Sequence, residues 1–497
     1  MSNVCTVCLT DLVTKPRLNQ HKHRKNPCKP AVIQPIVVDT NSSFRERSER
    51  LNKEITLHDR QKQGIFFTPK KARDLLFDKI AQYNFTPTRI LEPSFGSGEF
   101  LEDALNRYPA AAVCGVELNT KLFKSFTSER ATLICGDFLQ YSNTEKFDFI
   151  IGNPPYFVFD KDAKKDYKSN KGSGCDVDAI LSKSCVGRAN IYIAFLYKCL
   201  TEHLTVGGFL GFVLPTSLFN CSYYEPMRKY IADKCTICFV KKLDVEYYET
   251  SQDTMLIILQ NKRSHGNESF YRFKYQDRIY ISPFYKELRK AVLGTQTLDT
   301  LGFLVKTGDV VWNVVGPYLR DTKETGASLL IYTNNIVDGK LVINNLNSSK
   351  KCCAEGCTRK DAGFGIGSED EKKEVRAKTK ERWCVDHKKA EMIDFRKKQY
   401  IAGYRSQPLK APAILVSRGF GNASAEYSFI YALVPDGEFY AENHVNVILP
   451  QNAEAVKRIP MIMNSLGDSR TSDFIKYFNA NGAMSKSELE QVLPIYT

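Results

Sequence analysis

The sequence predicts an α/β protein built on a mainly parallel sheet, and three observations carry that prediction. Residues 56–265 alternate short apolar runs of strand type with stretches of helical patterning, as parallel strands joined by crossover helices require. A strand-like run after residue 88 passes through a glycine-bearing turn into a helical stretch that ends near 105. Successive apolar runs end at Glu117, Asp137 and Asn153, and the carboxyl ends of strands are where open α/β sheets bind ligands.

The totals set bounds. The chain has 497 residues, 43% hydrophobic and 25% charged, enough for two or three packed domains and incompatible with a mainly disordered chain. No apolar run is long enough to cross a bilayer, and the N-terminus reads as Cys and polar residues, unlike a signal peptide. A soluble, intracellular protein without a membrane partner is expected. The net charge of +14 favours a polyanionic partner. Fifteen cysteines in a reducing compartment are not expected to form a disulfide framework. The C-x-x-C of Cys235 and Cys238 lies in K-C-T-I-C-F-V and reads as a core strand.

Four zones follow along the chain. Residues 1–30 are a basic Cys/His-rich module, and 31–55 are a polar linker containing S-F-R-E-R-S-E-R, expected to be partly helical. Residues 56–265 form the α/β unit. Residues 280–497 carry short strand-like pieces, many turns and a lysine-rich Cys/His insertion at 350–392.

Within the α/β unit, T-R-I-L-E-P-S-F-G-S-G-E-F-L-E-D-A-L (88–105) reads as strand, turn and helix. Gly96 and Gly98 let the backbone approach a ligand, with Glu92 and Pro93 opening the turn. Glu117 ends the next strand, nineteen residues after Gly98, the place of an acid that binds ribose hydroxyls. Asp137 beside Phe138 ends a third strand and suits the amino group and ring face of an adenine. The turn is not G-x-G-x-x-G and no phosphate-binding Lys follows, so the set fits S-adenosylmethionine better than a dinucleotide.

A fourth strand ends in I-I-G-N-P-P-Y (150–156). An exocyclic amine on an aromatic base is a poor nucleophile because its lone pair is delocalised into the ring. Two acceptors on its N–H groups draw it toward tetrahedral geometry and offset the growing positive charge. Asn153 supplies a side-chain carbonyl, and Pro154, stiffened by Pro155, supplies a main-chain one. Tyr156 supplies a flat face for an extruded base.

This assembly resembles the amino-methyltransferases of DNA, in particular the gamma-class adenine-N6 methyltransferases of restriction–modification systems. In that class an F-F-T-P element precedes the glycine turn, as G-I-F-F-T-P (64–69) does here. The resemblance implies a Rossmann-like sheet that binds S-adenosylmethionine, also contacted by Asn153, with Phe67, Thr68 and Pro69 closing over it. It implies a C-terminal target-recognition domain, opened by L-V-K-T-G-D-V-V-W-N (304–313) and closed by A-M-S-K-S-E-L-E-Q-V-L-P-I (483–495). D-V-E-Y-Y-E-T-S-Q-D-T-M-L-I-I-L (244–259) looks like the segment with a second stacking aromatic, Tyr248, or Tyr247 in the other register. Asn before P-P-Y favours adenine N6 over cytosine N4 by the same analogy. The implied partners are duplex DNA and a separate cognate restriction endonuclease, with the enzyme a monomer. No acidic pair with a trailing Lys marks a nuclease site in this chain. An RNA adenine or protein glutamine N-methyltransferase shares the motif and is the rival reading. A non-catalytic nucleic-acid-binding protein is the rival of a different class.

Two Cys/His clusters remain. Cys5, Cys8, His21 and Cys28 form a tetrahedral zinc pattern, with His23 competing for the third place. L-x-x-H-x-x-R-K-x-P-C resembles small fingers of large DNA viruses, so a viral factory joins cytoplasm and nucleus as an expected location. Cys352, Cys357, Cys384 and His387 resemble a short Cys-Cys-Cys-His repeat, with Cys353 an alternative to Cys352. Both modules are too small to fold well without metal, and zinc is the expected ion.

Overall fold

Seven strands form the central sheet: β1 Arg89–Glu92, β2 Ala112–Glu117, β3 Ala131–Cys135, β4 Phe147–Gly152, β5 Leu204–Pro215, β6 Thr236–Lys242 and β7 Thr254–Gln260. Their spatial order is β3-β2-β1-β4-β5-β7-β6, and β7 runs antiparallel to both of its neighbours while the other pairings are parallel. The computed structural model describes residues 44–158, 177–187, 189–243, 253–263, 270–312, 314–343, 398–419, 428–478 and 484–496, with short stretches at 353–354, 357–358, 364–366, 383–387 and 392–394.

Both faces of the sheet are covered, which is why β4, β5 and β7 read as continuous apolar runs. Ile150, Leu210, Phe212 and Ile257 enter one core, and their neighbours Ile151, Phe209, Val213 and Ile258 enter the other. Cys238 lies half-buried on β6, the edge strand of the sheet, and buried Cys235 just precedes it, so that C-x-x-C sits on a strand as expected but at the sheet's edge.

The segment read as a linker departs from expectation. Helix Glu46–Glu54 packs onto the strand–turn–helix at Ser97–Arg107. Ser48 is buried against Ser97, at 2.8 Å between hydroxyl oxygens, and bonds the Glu99 carboxylate. Arg45 donates its backbone N–H to Glu99 at 3.1 Å, and Arg47 reaches Glu102 at 2.8 Å. The polar composition that looks like a linker supplies buried Ser48 and half-buried Arg45 and Arg47 as partners for charges about fifty residues downstream.

The C-terminal part is built on two sheets. Strands Phe303–Thr307, Val445–Pro450, Ala413–Ser417 and Tyr431–Val434 make an antiparallel four-stranded sheet. A five-stranded sheet runs Leu319–Arg320, Tyr400–Ala402, Ala327–Ile331, Glu438–Ala441, Leu409–Lys410. The core under the first sheet takes Phe474, Ile475 and Leu489 from the last helices, and also Phe273, Tyr275 and Tyr280 from the hairpin Arg272–Ile281. The boundary expected at 280 therefore falls inside a hairpin that belongs to the C-terminal core. The Asn220 amide to the Phe478 carbonyl at 2.8 Å and Arg228 to the Ile279 carbonyl at 2.6 Å join this part to the α/β unit. Among the described residues no helix is long and apolar enough to cross a membrane.

Candidate active site

The turn after β1 is set by its glycines and by one carboxylate. Gly98 has φ +78°, and a Cβ there would meet the Phe126 ring at 2.5 Å, so the helix Glu99–Arg107 can begin at this close approach only with glycine. Glu117, at the end of β2, accepts from the Gly96 N–H at 2.8 Å through Oε2 and from the Asn119 N–H at 2.7 Å through Oε1. Burial raises the Glu117 carboxyl, against the backbone donors of Asn119, Gly96 and Leu118. The sequence placed Glu117 on a ribose. The fold adds that it braces the turn itself.

Glu92 is fully enclosed at the end of β1. Burial first, then the neighbouring Glu117 carboxyl, pushes it well above its ordinary value, and Oε2 has no protein partner. A buried oxygen of this kind suits a cationic ligand group. Open space at Gly96, where a Cβ would meet nothing within 4 Å, gives such a ligand room. Both features fit S-adenosylmethionine, which carries a sulfonium and an ammonium group.

At the third strand, Asp137 accepts from the Leu139 N–H at 2.9 Å and caps the short turn Phe138–Gln140. The Phe138 ring is only 1% exposed and packs on Phe195 and His203, at centroid distances of 5.1 and 5.3 Å. Its face is used by the core, so the adenine-stacking role expected of it is not available, and Phe138 serves to anchor the Asp137 turn. His203 is held near 4 by burial, then by Lys198.

The Asn153–Tyr156 turn leaves β4 beside β1. Asn153 donates through Nδ2 to the Phe66 carbonyl at 3.1 Å, which fixes the carboxamide and identifies Oδ1 as its acceptor end. The Tyr156 hydroxyl bonds that Oδ1 and lies 2.6 Å from the Val213 carbonyl on β5. The Tyr156 ring is 8% exposed, facing Phe66 at 5.8 Å and 26° and meeting Tyr192 edge-on at 6.0 Å. Pro154 is buried and Pro155 half-buried.

Residues 64–69 contribute differently from expectation. Phe66, not singled out in the sequence, supplies both the carbonyl for Asn153 and the ring against Tyr156. Phe67 instead packs with Leu51, Ile55 and Leu122 beneath the N-terminal helix, while the Thr68 carbonyl accepts from Arg73 at 2.5 Å. Pro69 is buried and precedes helix Lys70–Ala81. Gly64 has φ +67°, and a Cβ there would come within 2.5 Å of the Tyr156 backbone nitrogen. A glycine ending the short helix Leu57–Gln63, just before F-F-T-P, is the signal that marks this close approach.

Tyr247 and Tyr248 lie outside the described residues, as do Cys5, Cys8, His21, His23, Cys28 and Cys352. Leu243 and Thr254, which flank the tyrosine segment, are joined by a 2.9 Å backbone hydrogen bond where β6 and β7 meet. In the insertion, Cys357, Cys384 and His387 come together, and exposed Cys353 is not part of that group.

The strand order, the reversed β7, the glycine turn after β1 and the acid closing β2 define the fold of S-adenosylmethionine-dependent methyltransferases. Residues 103–247 match the family described as Eco57I restriction-modification methylase. The chain is 27% identical over 455 residues to the type II methyltransferase M.CvrRI of Paramecium bursaria Chlorella virus XZ-6E, covering 91% of this chain and 99% of that one. It is 34% identical over 277 residues to the modification methylase CviBIII of Paramecium bursaria Chlorella virus NC1A, covering 55% and 66%. Among solved structures, the type IIG restriction endonuclease BpuSI is similar over 88% of this chain and 60% of that chain, at 12% identity and a TM-score of 0.36. By sequence, the chain is a relative of the type II restriction–modification methylases.

Proposed function

We propose that this protein transfers a methyl group from S-adenosylmethionine to the N6 amino group of an adenine turned out of duplex DNA. The observation that carries the proposal is the fixed Asn153 carboxamide, tied through Nδ2 to Phe66 so that Oδ1 is its acceptor, on the strand beside the glycine turn. S-adenosylmethionine, when bound, supplies an electrophilic methyl carbon on a sulfonium. Glu92 and Glu117 hold its charged and hydroxyl-bearing parts, and Asp137 faces its adenine. Asn153 Oδ1 and the Pro154 carbonyl would accept the two N–H groups of the target amine, localising its lone pair toward the methyl carbon and offsetting the positive charge the nitrogen gains. The Tyr156 hydroxyl can donate its hydrogen bond to the Val213 carbonyl, which leaves Oδ1 to the incoming amine. Stacking of the base on Tyr156 requires the Phe66 ring to move aside, and Tyr248 is the partner proposed for the other face.

The C-terminal part reads the target sequence, and the N-terminal quartet Cys5, Cys8, His21 and Cys28 holds one zinc in a basic module that contacts phosphates. The protein works as a monomer with a separate cognate endonuclease. The deciding experiment expresses the wild-type and Asn153→Ala proteins in cells lacking N6-methyladenine and analyses DNA nucleosides by mass spectrometry, with long-read mapping of sites. N6-methyladenine at one sequence, absent with Asn153→Ala, is expected. Methyl groups on cytosine, or none on DNA, would overturn the proposal.

A further inference from the structure

The insertion between strands Lys340–Leu341 and Tyr400–Ala402 holds a group of side chains that the methyl-transfer reading does not use. Cys357 Sγ and Cys384 Sγ are 4.0 Å apart, and Cys384 Sγ is 3.2 Å from His387 Nδ1. One ligand atom from each of the three lies within 4.8 Å of the others. Thiolate and imidazole bound to one tetrahedral zinc, at about 2.3 and 2.0 Å, would sit about 3.8 Å (S to S) and about 3.5 Å (S to N) apart. The observed separations bracket those values, and at 4.0 Å the two sulfurs are about twice as far apart as in a disulfide.

We infer that Cys357, Cys384 and His387 supply three of the four ligands of one structural zinc ion. Two thiolates and one neutral imidazole balance the charge of a divalent cation, and a thiolate-rich set selects a soft ion over magnesium or calcium. The local packing shows why a metal belongs there. Cys384 is fully buried, and among the described residues its hydrophobic cluster takes in Ala354, Cys357 and Trp383. The hairpin Phe364–Ile366 with Met392–Asp394 supplies just three paired positions. An ion held by Cys357 and Cys384 would cross-link residues 27 apart in sequence. Cys384 and His387 come from one short turn, Val385–His387, whose His387 N–H bonds the Cys384 carbonyl at 3.2 Å, so two ligands are set before the metal arrives.

The test uses the full-length protein, purified without chelator. Zinc per chain, measured by plasma mass spectrometry, is expected to fall by one equivalent in Cys384→Ser and in His387→Ala, and to stay at the wild-type level in Cys353→Ser. Exchange with cobalt should give the visible bands of a tetrahedral thiolate site, reduced in Cys384→Ser. A ligand variant can lose metal simply by misfolding, so the wild-type chain is also probed by alkylation mapped by mass spectrometry. Cys357 is expected to react slowly with zinc present and at least tenfold faster after chelation, while exposed Cys353 reacts at one rate throughout. Equal zinc content in wild type, Cys384→Ser and His387→Ala overturns the site. So does a Cys357 rate indifferent to chelator, or a Cys357–Cys384 disulfide in the purified protein.

Discussion

Asn153 donates its side-chain Nδ2 to the carbonyl of Phe66 at 3.1 Å, across 87 residues of sequence. Asn153→Ala removes both that anchor and the acceptor Oδ1. Asn153→Asp keeps an acceptor but sets a carboxylate oxygen against a carbonyl. Each change is expected to lower methyl transfer by about a hundredfold or more, as for loss of one preorganised hydrogen-bond partner. Cofactor affinity should stay within a few-fold of wild type by calorimetry. Near-normal single-turnover transfer by either variant contradicts the assigned role.

The Tyr156 hydroxyl has two carbonyl acceptors, Asn153 Oδ1 and Val213 O, the second at 2.6 Å. From sequence only the ring face has a role, and Tyr156→Phe is then harmless. In the fold the loss leaves a buried acceptor without its donor, a cost of about 1–3 kcal/mol. A lower melting temperature is expected, with a fall of about tenfold in kcat and little change in KM for DNA. Wild-type kcat in Tyr156→Phe would show that the hydroxyl does not help to set Asn153.

How far the sequence revealed this site depends on the kind of interaction. The glycine turn, Glu117 and Asn153 were legible because each is a local pattern tied to a strand end, and strand ends follow from apolar periodicity. Phe66 was not, because its contribution is a main-chain carbonyl, which no residue type announces. The helix Glu46–Glu54 read as linker because the groups that fix it are buried Ser48 and half-buried Arg45 and Arg47, whose partners Glu99, Asp103 and Glu102 are known only once the chain folds. Phe138 misled for the converse reason: an aromatic at a strand end suits a ligand, but the core behind β3 took its ring.

Glu92 carries a titration that can be followed. Burial, then Glu117 and Asp103, hold its carboxyl well above 4.5, while the Leu101 backbone and Arg73 act the other way. A value raised in the folded state contributes stability that is fully present below the unfolded value and is lost as pH rises through the folded one. Glu92→Gln removes that loss. Its melting temperature should match wild type in acid and exceed it increasingly toward neutral and alkaline pH. A cationic cofactor favours the ionised carboxylate, so wild-type binding should release a proton and strengthen with pH, and the Gln variant should bind about tenfold or more weakly without that slope. Calorimetry in buffers of different ionisation enthalpy reads the proton directly. Identical proton release by the two proteins removes Glu92 from the cofactor site.

Arg73 ties three parts of the site together. It is 1% exposed, pairs with the buried Glu99, meets Asp103 at 2.7 Å and donates to the Thr68 carbonyl at 2.5 Å. Glu99 also takes Ser48 and the Arg45 N–H, so Arg73 balances the buried carboxylate that holds the N-terminal helix against the glycine turn and shares Asp103 with Arg45. Arg73→Met matches the bulk of the chain and leaves Glu99 buried without its main counter-charge. Breaking such a pair costs about 3–5 kcal/mol. Arg73→Lys should recover only part of this, since an ammonium cannot serve both carboxylates and the carbonyl with one planar fork. Urea unfolding measures the loss, and hydrogen exchange locates it. Amides of Glu46–Glu54 and of the Ser97–Arg107 segment should lose protection, while those of β5 and β7 keep theirs at low denaturant. Uniform loss across the sheet would mean that Arg73 supports the whole domain and not the clamp over the turn. A stability within about 1 kcal/mol of wild type would place its ion pairs with those that contribute little.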